Sequence, residues 1–264
     1  MLGSMRHFCF LLAATLAVAQ STATELGRVW DLTQPLSAAS PNWEGTAVSP
    51  FHARTLGTYA TTHYYSRVIT LPEHFSTHLD APAHFAAGRW TVEQIPVSHL
   101  IAPLIIVDVR AQVQAQLRDA ANATADYTVS LADLAAWESR HGRIPDHAIV
   151  VAFTGWSSRW NSMQRYRNAD ARHSMHTPGF SLAAARWLVD QRHIYGLGID
   201  DLSLDVGASP DYPVHSYVLD HNVFQLENLA DLGGVPLRGA TLVVAPAKLV
   251  GGSGAPVRVF AIQR

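Results

Sequence analysis

Leu104-Ile105-Ile106-Val107-Asp108-Val109 is an apolar, β-branched run and reads as a buried strand. Ala148-Ile149-Val150-Val151-Ala152-Phe153 is a second run of the same kind, and Tyr195–Ile199 supplies a third. Helical patterns lie between them. Ser130 can cap a helix through Leu131, Leu134, Ala135 and Glu138, which Gly142 would end. Ser181 can cap another, with Leu182, Ala185, Leu188 and Val189 along one face. Residues 30–70 read as short strands and turns around Pro35, Pro41 and Pro50, and strands at 241–245 and 257–262 finish the chain. Strand–helix–strand alternation between β-rich ends predicts an α/β fold, a single domain with a mixed β-sheet and flanking helices.

The chain has 264 residues, 48% of them hydrophobic, which is enough to bury a sizeable core and too apolar for disorder. No Ser-, Pro- or Gly-rich linker and no internal repeat divides residues 24–264. The formal net charge of −2 provides no basic field for a nucleic-acid backbone, so no nucleic-acid partner is expected. Residues 1–23 read as a secretory signal peptide: Arg6 and His7, an apolar run from Phe8 to Val18, then small residues through Ala23. The expectation is a secreted or periplasmic protein that has no membrane partner after cleavage. Cleavage would remove Cys9, the only cysteine, and with it any thiol or disulfide chemistry. Asn122-Ala123-Thr124 is a formal glycosylation sequon, meaningful only in a eukaryotic secretory route.

The chemistry concentrates in Leu71-Pro72-Glu73-His74-Phe75-Ser76-Thr77-His78-Leu79-Asp80-Ala81-Pro82-Ala83-His84-Phe85. Pro72 and Pro82 argue against a continuous helix. In an extended chain residues 74, 78, 80 and 84 share a face, and His78 and Asp80 are near enough to converge on one ion. His74 would lie about 13 Å from His78 in a straight strand, too far to share a metal. The chain must therefore curl through Phe75–Thr77, where Ser76 and Thr77 can hydrogen-bond local backbone. Two imidazoles and a carboxylate suit Zn²⁺ or Mn²⁺ and leave positions open for water and substrate. The competing reading is a histidine-rich surface loop, in a chain that carries 14 histidines.

This segment resembles the H-x-G-T-H-x-D-x-P-x-H signature of the cyclase-like metal hydrolases, the group of bacterial kynurenine formamidases and isatin hydrolases. The likeness spans nearly the whole of 24–264. Asp31-Leu32-Thr33-Gln34-Pro35-Leu36 is similar to the family's opening strand, and Thr154-Gly155-Trp156-Ser157 to its central T-G-W segment. Gly198-Ile199-Asp200-Asp201-Leu202-Ser203-Leu204-Asp205 resembles its G-I-D-x-x-S-x-D segment. Pro213-Val214-His215 and Leu226-Glu227-Asn228-Leu229 match its late histidine and E-N-L pattern, and Gly252–Arg258 its closing turn and strand.

The resemblance implies a swivelling β/β/α fold, with His74, His78 and Asp80 as ligands of a first ion. It implies that Asp80 can bridge to a second ion held by His215 and Glu227, and that His84 stands near that second ion or acts on the reacting water. One or two divalent ions, Mn²⁺ or Zn²⁺, are the implied cofactor. The implied reaction is hydrolysis of a C–N bond in a small aromatic cyclic amide, isatin-hydrolase-like, to a carboxylate. Arylformamidase activity of the N-formylkynurenine type and a non-catalytic metal- or ligand-binding protein are the alternatives, and a homodimer is the implied assembly. The family's glycine falls on Ser76 here, which strains the curl if that position needs positive φ.

Other candidates are weaker. Trp90 is a candidate substrate contact, and Trp43, Trp156 and Trp160 could join it in an aromatic pocket or belong to the core. His221 is a decoy for the role of His215. Asp200, Asp201 and Asp205 read as structural, and His52, His63, His99, His147, His173, His176 and His193 as non-catalytic.

Overall fold

A computed structural model of the chain describes residues 27–46, 48–118 and 125–263. The expected leader with Cys9, and the Asn122 sequon, lie outside the described residues. The elements follow in the order β1 (Arg28–Asp31), β2 (His52–Gly57), α1 (Tyr59–Thr62), β3 (Ser66–Thr70), β4 (His78–Asp80), β5 (Ile101–Asp108), α2 (Arg110–Arg118) and β6 (Thr128–Val129). Then come α3 (Leu131–His141), β7 (Ile149–Phe153), α4 (Met163–Arg167), β8 (Gly179–Phe180), α5 (Leu182–Arg192), β9 (Gly196–Ile199), α6 (Pro213–Asp220), β10 (Phe224–Glu227), β11 (Ala240–Pro246) and β12 (Gly254–Gln263).

Eight strands form one sheet in the order β1-β12-β11-β5-β7-β9-β10-β4, and β4 also pairs with β12. That last pairing curls the sheet into a barrel-like ring with β1 added alongside β12. The centre, β5-β7-β9-β10, is parallel, and the remaining pairings are antiparallel. The sheet is therefore mixed, and α/β alternation occupies its parallel half as the sequence predicts.

Strand alternation sorts the apolar side chains into two cores. Ala102, Leu104 and Ile106 of β5 point inside with Ile149 and Val151 of β7, Leu226 of β10 and Leu242 of β11. Ile105 and Val107 of β5 point outward with Val150 and Ala152 of β7. There they meet Val113 of α2, Leu134 of α3, Leu188 of α5 and Val218 of α6. The strand β9 turns Gly196 inward because the Phe224 ring fills the space, lying 2.5 Å from where a Cβ would stand.

Ser130 caps α3 by accepting from the Asp133 amide, and Ser181 caps α5 by accepting from the Ala184 amide. Helix α2 has one buried residue, Val113, so it leaves no apolar stripe to read in the sequence. Among the described residues, strands β2 and β3 pair only with each other. The arm they form exposes Leu56, Tyr59, Tyr64, Tyr65, Val68 and Ile69.

Candidate metal centre

The strand that closes the ring, β4, also carries two of the site's donors. His78 and Asp80 alternate outward, while Leu79 between them enters the barrel core. In the ladder with β10, Glu227 stands opposite His78, so both side chains share the outward face.

His74 arrives through the curl. Ser76 has φ +60°, a left-handed backbone that few non-glycine residues adopt. Its carbonyl accepts from His78 Nδ1 at 2.9 Å and from Asn228 Nδ2 at 3.0 Å. Thr77 Oγ1 donates to the Asn228 carbonyl at 2.6 Å and accepts from the Gln34 amide at 2.9 Å. These bonds hold the bend that brings His74 Nδ1 to 2.6 Å from Asp80 Oδ1.

His215 is placed by the start of α6. Tyr212, before Pro213, is itself left-handed and gives no side-chain cap. Asp205 caps from a distant loop instead: Oδ1 accepts from the Val214 amide at 2.9 Å, and Oδ2 from the His215 amide at 3.0 Å and from His215 Nδ1 at 2.7 Å. The ring then presents Nε2 to Glu227 Oε1 at 3.1 Å and to Asp80 Oδ2 at 3.6 Å.

Two triads result, His74/His78/Asp80 and Asp80/His215/Glu227, each with ligand atoms within 4.8 Å of one another. Asp80 belongs to both. His78 and His215 each spend Nδ1–H on an acceptor that has no proton to return, a carbonyl and a carboxylate. Their neutral rings must then aim Nε2 lone pairs at carboxylate oxygens, with His78 Nε2 at 3.2 Å from Asp80 Oδ1 and 3.4 Å from Glu227 Oε2. Lone pairs facing carboxylates repel unless a proton or a cation stands between them.

Titration reflects that field. Burial would lower the His78 pKa, but Asp80 and Glu227 outweigh it and raise it to about 9. His215 is likewise raised well above the usual imidazole range, against burial, by Asp205, Asp80 and Glu227. The facing imidazoles, His78 foremost, hold Asp80 well below the carboxylate range despite its burial. Burial and the neighbouring Asp80 raise Glu227. Asp80 and Glu227 form no ion pair with Lys or Arg among the described residues. This donor set fits a divalent cation.

His84 stands outside both triads. Its ring stacks on His74 with centroids 3.9 Å apart. Desolvation, reinforced by the neighbouring imidazoles of His74, His215 and His78, outweighs Asp80 and pushes its pKa down to about 4, so the ring is neutral at neutral pH. Both rings line a cavity of about 460 Å³ whose walls include Trp43, Phe75, Phe85 and Tyr212. Phe85 lies 5.8 Å from the Tyr212 ring and 5.0 Å from His215.

The structure thus brings together His74, His78, Asp80, His84, His215 and Glu227. It leaves Trp90 outside the lining of that cavity, which corrects the expected substrate contact: the partly buried indole packs onto the barrel core and lies edge-on to His99, 5.4 Å away. Trp156 belongs to the core and Trp160 to another cleft beside Arg110, while Trp43 does reach the pocket. His221, at the far end of α6, donates to the Tyr217 carbonyl away from the triads. Asp200 ties the turn after β7 by accepting from Thr154 and Ser157. Phe75, Phe85 and Tyr212 escaped the sequence reading, since isolated aromatics at these spacings carry no periodic signal. Asp205 read as structural, and its bond to His215 joins it to the site.

A family model described as "Putative cyclase" matches residues 30–206. Isatin hydrolase of Roseibium aggregatum is 31% identical over 202 residues, 74% of this chain and 73% of that protein. Kynurenine formamidase of Salinibacter ruber is 27% identical over 194 residues, 72% of this chain and 76% of that protein. The structure of isatin hydrolase A from Ralstonia solanacearum superposes with a TM-score of 0.80 at 34% identity, covering 90% of this chain and 92% of that one.

Proposed function

The chain belongs to the cyclase family, whose relatives above are hydrolases, and from that premise we propose that it opens the ring of a small aromatic cyclic amide to a carboxylate. The observation that carries this reading is the meeting of two donor triads on Asp80 at an aromatic-walled cavity. His74, His78 and Asp80 would hold one divalent ion, and Asp80, His215 and Glu227 a second. Mn²⁺ and Zn²⁺ both suit these donors. A bound ion supplies Lewis acidity, which acidifies water and polarises a carbonyl.

The protein's own residues do the rest. Trp43, Phe85 and Tyr212 offer faces and edges to a flat ring, and orient its carbonyl toward the triads. His84, neutral and stacked on His74, takes a proton from the attacking water and returns it to the leaving nitrogen. The water oxygen ends in the carboxylate, the C–N bond breaks, and the nitrogen leaves protonated.

The cavity suits an aryl formamide as well, and similarity to a formamidase supports testing one. Two further proposals accompany the activity. Export to the periplasm or outside rests on the leader-like pattern of residues 1–23. A homodimer is supported by the exposed apolar arm of β2 and β3, since a lone two-stranded ribbon is marginal in water.

The test is turnover of isatin and of an aryl formamide by the full chain supplied with Mn²⁺ or Zn²⁺, in water enriched in oxygen-18. Expected are ring opening with label in the new carboxylate, and a loss in His84→Ala of about 10²-fold or more with metal retained. Cleavage of the formamide alone would move the assignment to a formamidase. Metal binding without turnover of either compound would sink the hydrolase reading.

A further inference from the structure

The three histidines of the two triads are held from behind in different ways. Behind His78 is a carbonyl and behind His215 a carboxylate, both obligate acceptors. Behind His74 is a hydroxyl: Nε2 lies 3.0 Å from Ser253 Oγ. A hydroxyl donates or accepts, so by itself it leaves the His74 tautomer open. If Ser253 donated, His74 would accept at Nε2 and carry its proton on Nδ1, pointed into the site.

Glu73 removes that freedom. Its Oε2 accepts from Ser253 Oγ at 2.7 Å and from the Ser253 amide at 2.9 Å. The Ser253 amide can only donate, which marks Oε2 as an accepting oxygen, and a carboxylate is an acceptor with no proton to offer. The Ser253 proton is therefore spent on Glu73, and Oγ can only accept from His74 Nε2–H. The Nδ1 lone pair is what remains for the site, 2.6 Å from Asp80 Oδ1. The ring plane is set by Gly254, where a Cβ would stand 2.5 Å from His74 Cε1, and by the stacked His84 ring. Ser253 and the first residue of β12 thus supply an acceptor and a floor for a ligand that lies 179 positions before Ser253 in the chain.

We infer that Glu73, acting through Ser253, is a positioning residue that fixes the tautomer of His74 and delivers its Nδ1 lone pair to a divalent cation. This rests on the metal-site reading proposed above. Outer partners of metal-bound histidines typically control affinity 10- to 100-fold.

The experiment measures Zn²⁺ affinity of the full chain by chelator competition, and reads the His74 tautomer by long-range ¹H–¹⁵N NMR on the same samples. Ser253→Ala and Glu73→Ala should each raise the Zn²⁺ Kd about 10- to 100-fold. The double variant should be no worse than the weaker-binding single, because the two act in one chain. Glu73→Gln keeps an oxygen acceptor for the hydroxyl and should stay within a few-fold of the parent. The parent spectrum should show the His74 proton on Nε2, and Glu73→Ala should lose that signature. Additive losses, a normal Kd in Glu73→Ala, or a parent proton on Nδ1 would each overturn the inference. If the parent bound no Zn²⁺, the metal reading would fall, and the tautomer would still decide the role of Glu73. An Nε2–H signature lost in Glu73→Ala would support it, and an unchanged spectrum would overturn it.

Discussion

The two groups of donors that meet at Asp80 are built by different means. His74, His78 and Asp80 come from seven consecutive positions, and local backbone chemistry brings them together: a left-handed Ser76, a Thr77 bonded on both sides, and a three-residue strand. His215 and Glu227 come from a helix start and a different strand. The register of β10 against β4 and the Asp205 cap at α6 place them. The local group ends in a His74 whose side chain is 26% exposed, with a hydroxyl behind it, whereas the His215 side chain is 7% exposed with a carboxylate behind it. Accessibility in the local half belongs to His74 on the curl alone, since His78 and Asp80 on β4 are as buried as the remote pair. A ligand drawn from remote elements is buried because the packing that places it also covers it.

The strongest test of this comparison removes what the halves share. Asp80→Ala leaves each triad with two donors, so metal content should fall to background. Hydrolysis should drop on the order of 10³-fold or more, the scale of losing a principal electrostatic element. Metal analysis per chain and initial rates check this. Activity within ten-fold of the parent would mean that the halves do not depend on a common carboxylate.

Asp205→Asn separates them. The amide keeps the size of the carboxylate but can place a donor against His215 Nδ1, which favours the tautomer with its proton on Nε2, facing Glu227. Cation affinity of the second triad should fall about 10- to 100-fold while His74, His78 and Asp80 keep theirs. Weakening one acceptor of the α6 cap should cost about 1 kcal/mol of stability. Two-site metal titration and thermal unfolding read the two effects. Equal loss from both sites would show that the remote half supports the local one.

The same division explains what could be read from the sequence. The buried strands at β5, β7 and β9 and the caps Ser130 and Ser181 are local signals, and each appears where the residues predict it. The need for a bend between His74 and His78 is likewise local, because it follows from strand spacing alone. Nothing in their spacing, however, ties His215 and Glu227 to Asp80; only the likeness to a family joined them. Ring closure by β4 depends on pairings with segments about 145 and 175 positions away, which no periodicity announces. Trp90 misled because tryptophans of core and pocket look alike in sequence; burial separates them.

Ser76→Gly tests the local half at its strained point, and the expected effect is the smallest. A left-handed conformation costs a non-glycine residue about 1 kcal/mol, and glycine returns about 0.5–1 kcal/mol of that in unfolded-state entropy. The Ser76 hydroxyl makes no hydrogen bond to the described residues and lines the cavity, where solvent can meet it, so its removal adds little. The two backbone terms leave glycine ahead by at most about 0.5 kcal/mol, a change in Tm within about 2 °C for a domain of this size. Metal affinity should stay within about two-fold, because the bond to His78 comes from the Ser76 carbonyl, which glycine retains. A ten-fold loss of affinity would show that the side chain holds the curl. A rise in KM at unchanged affinity would assign the hydroxyl to substrate, since Ser76 lines the cavity.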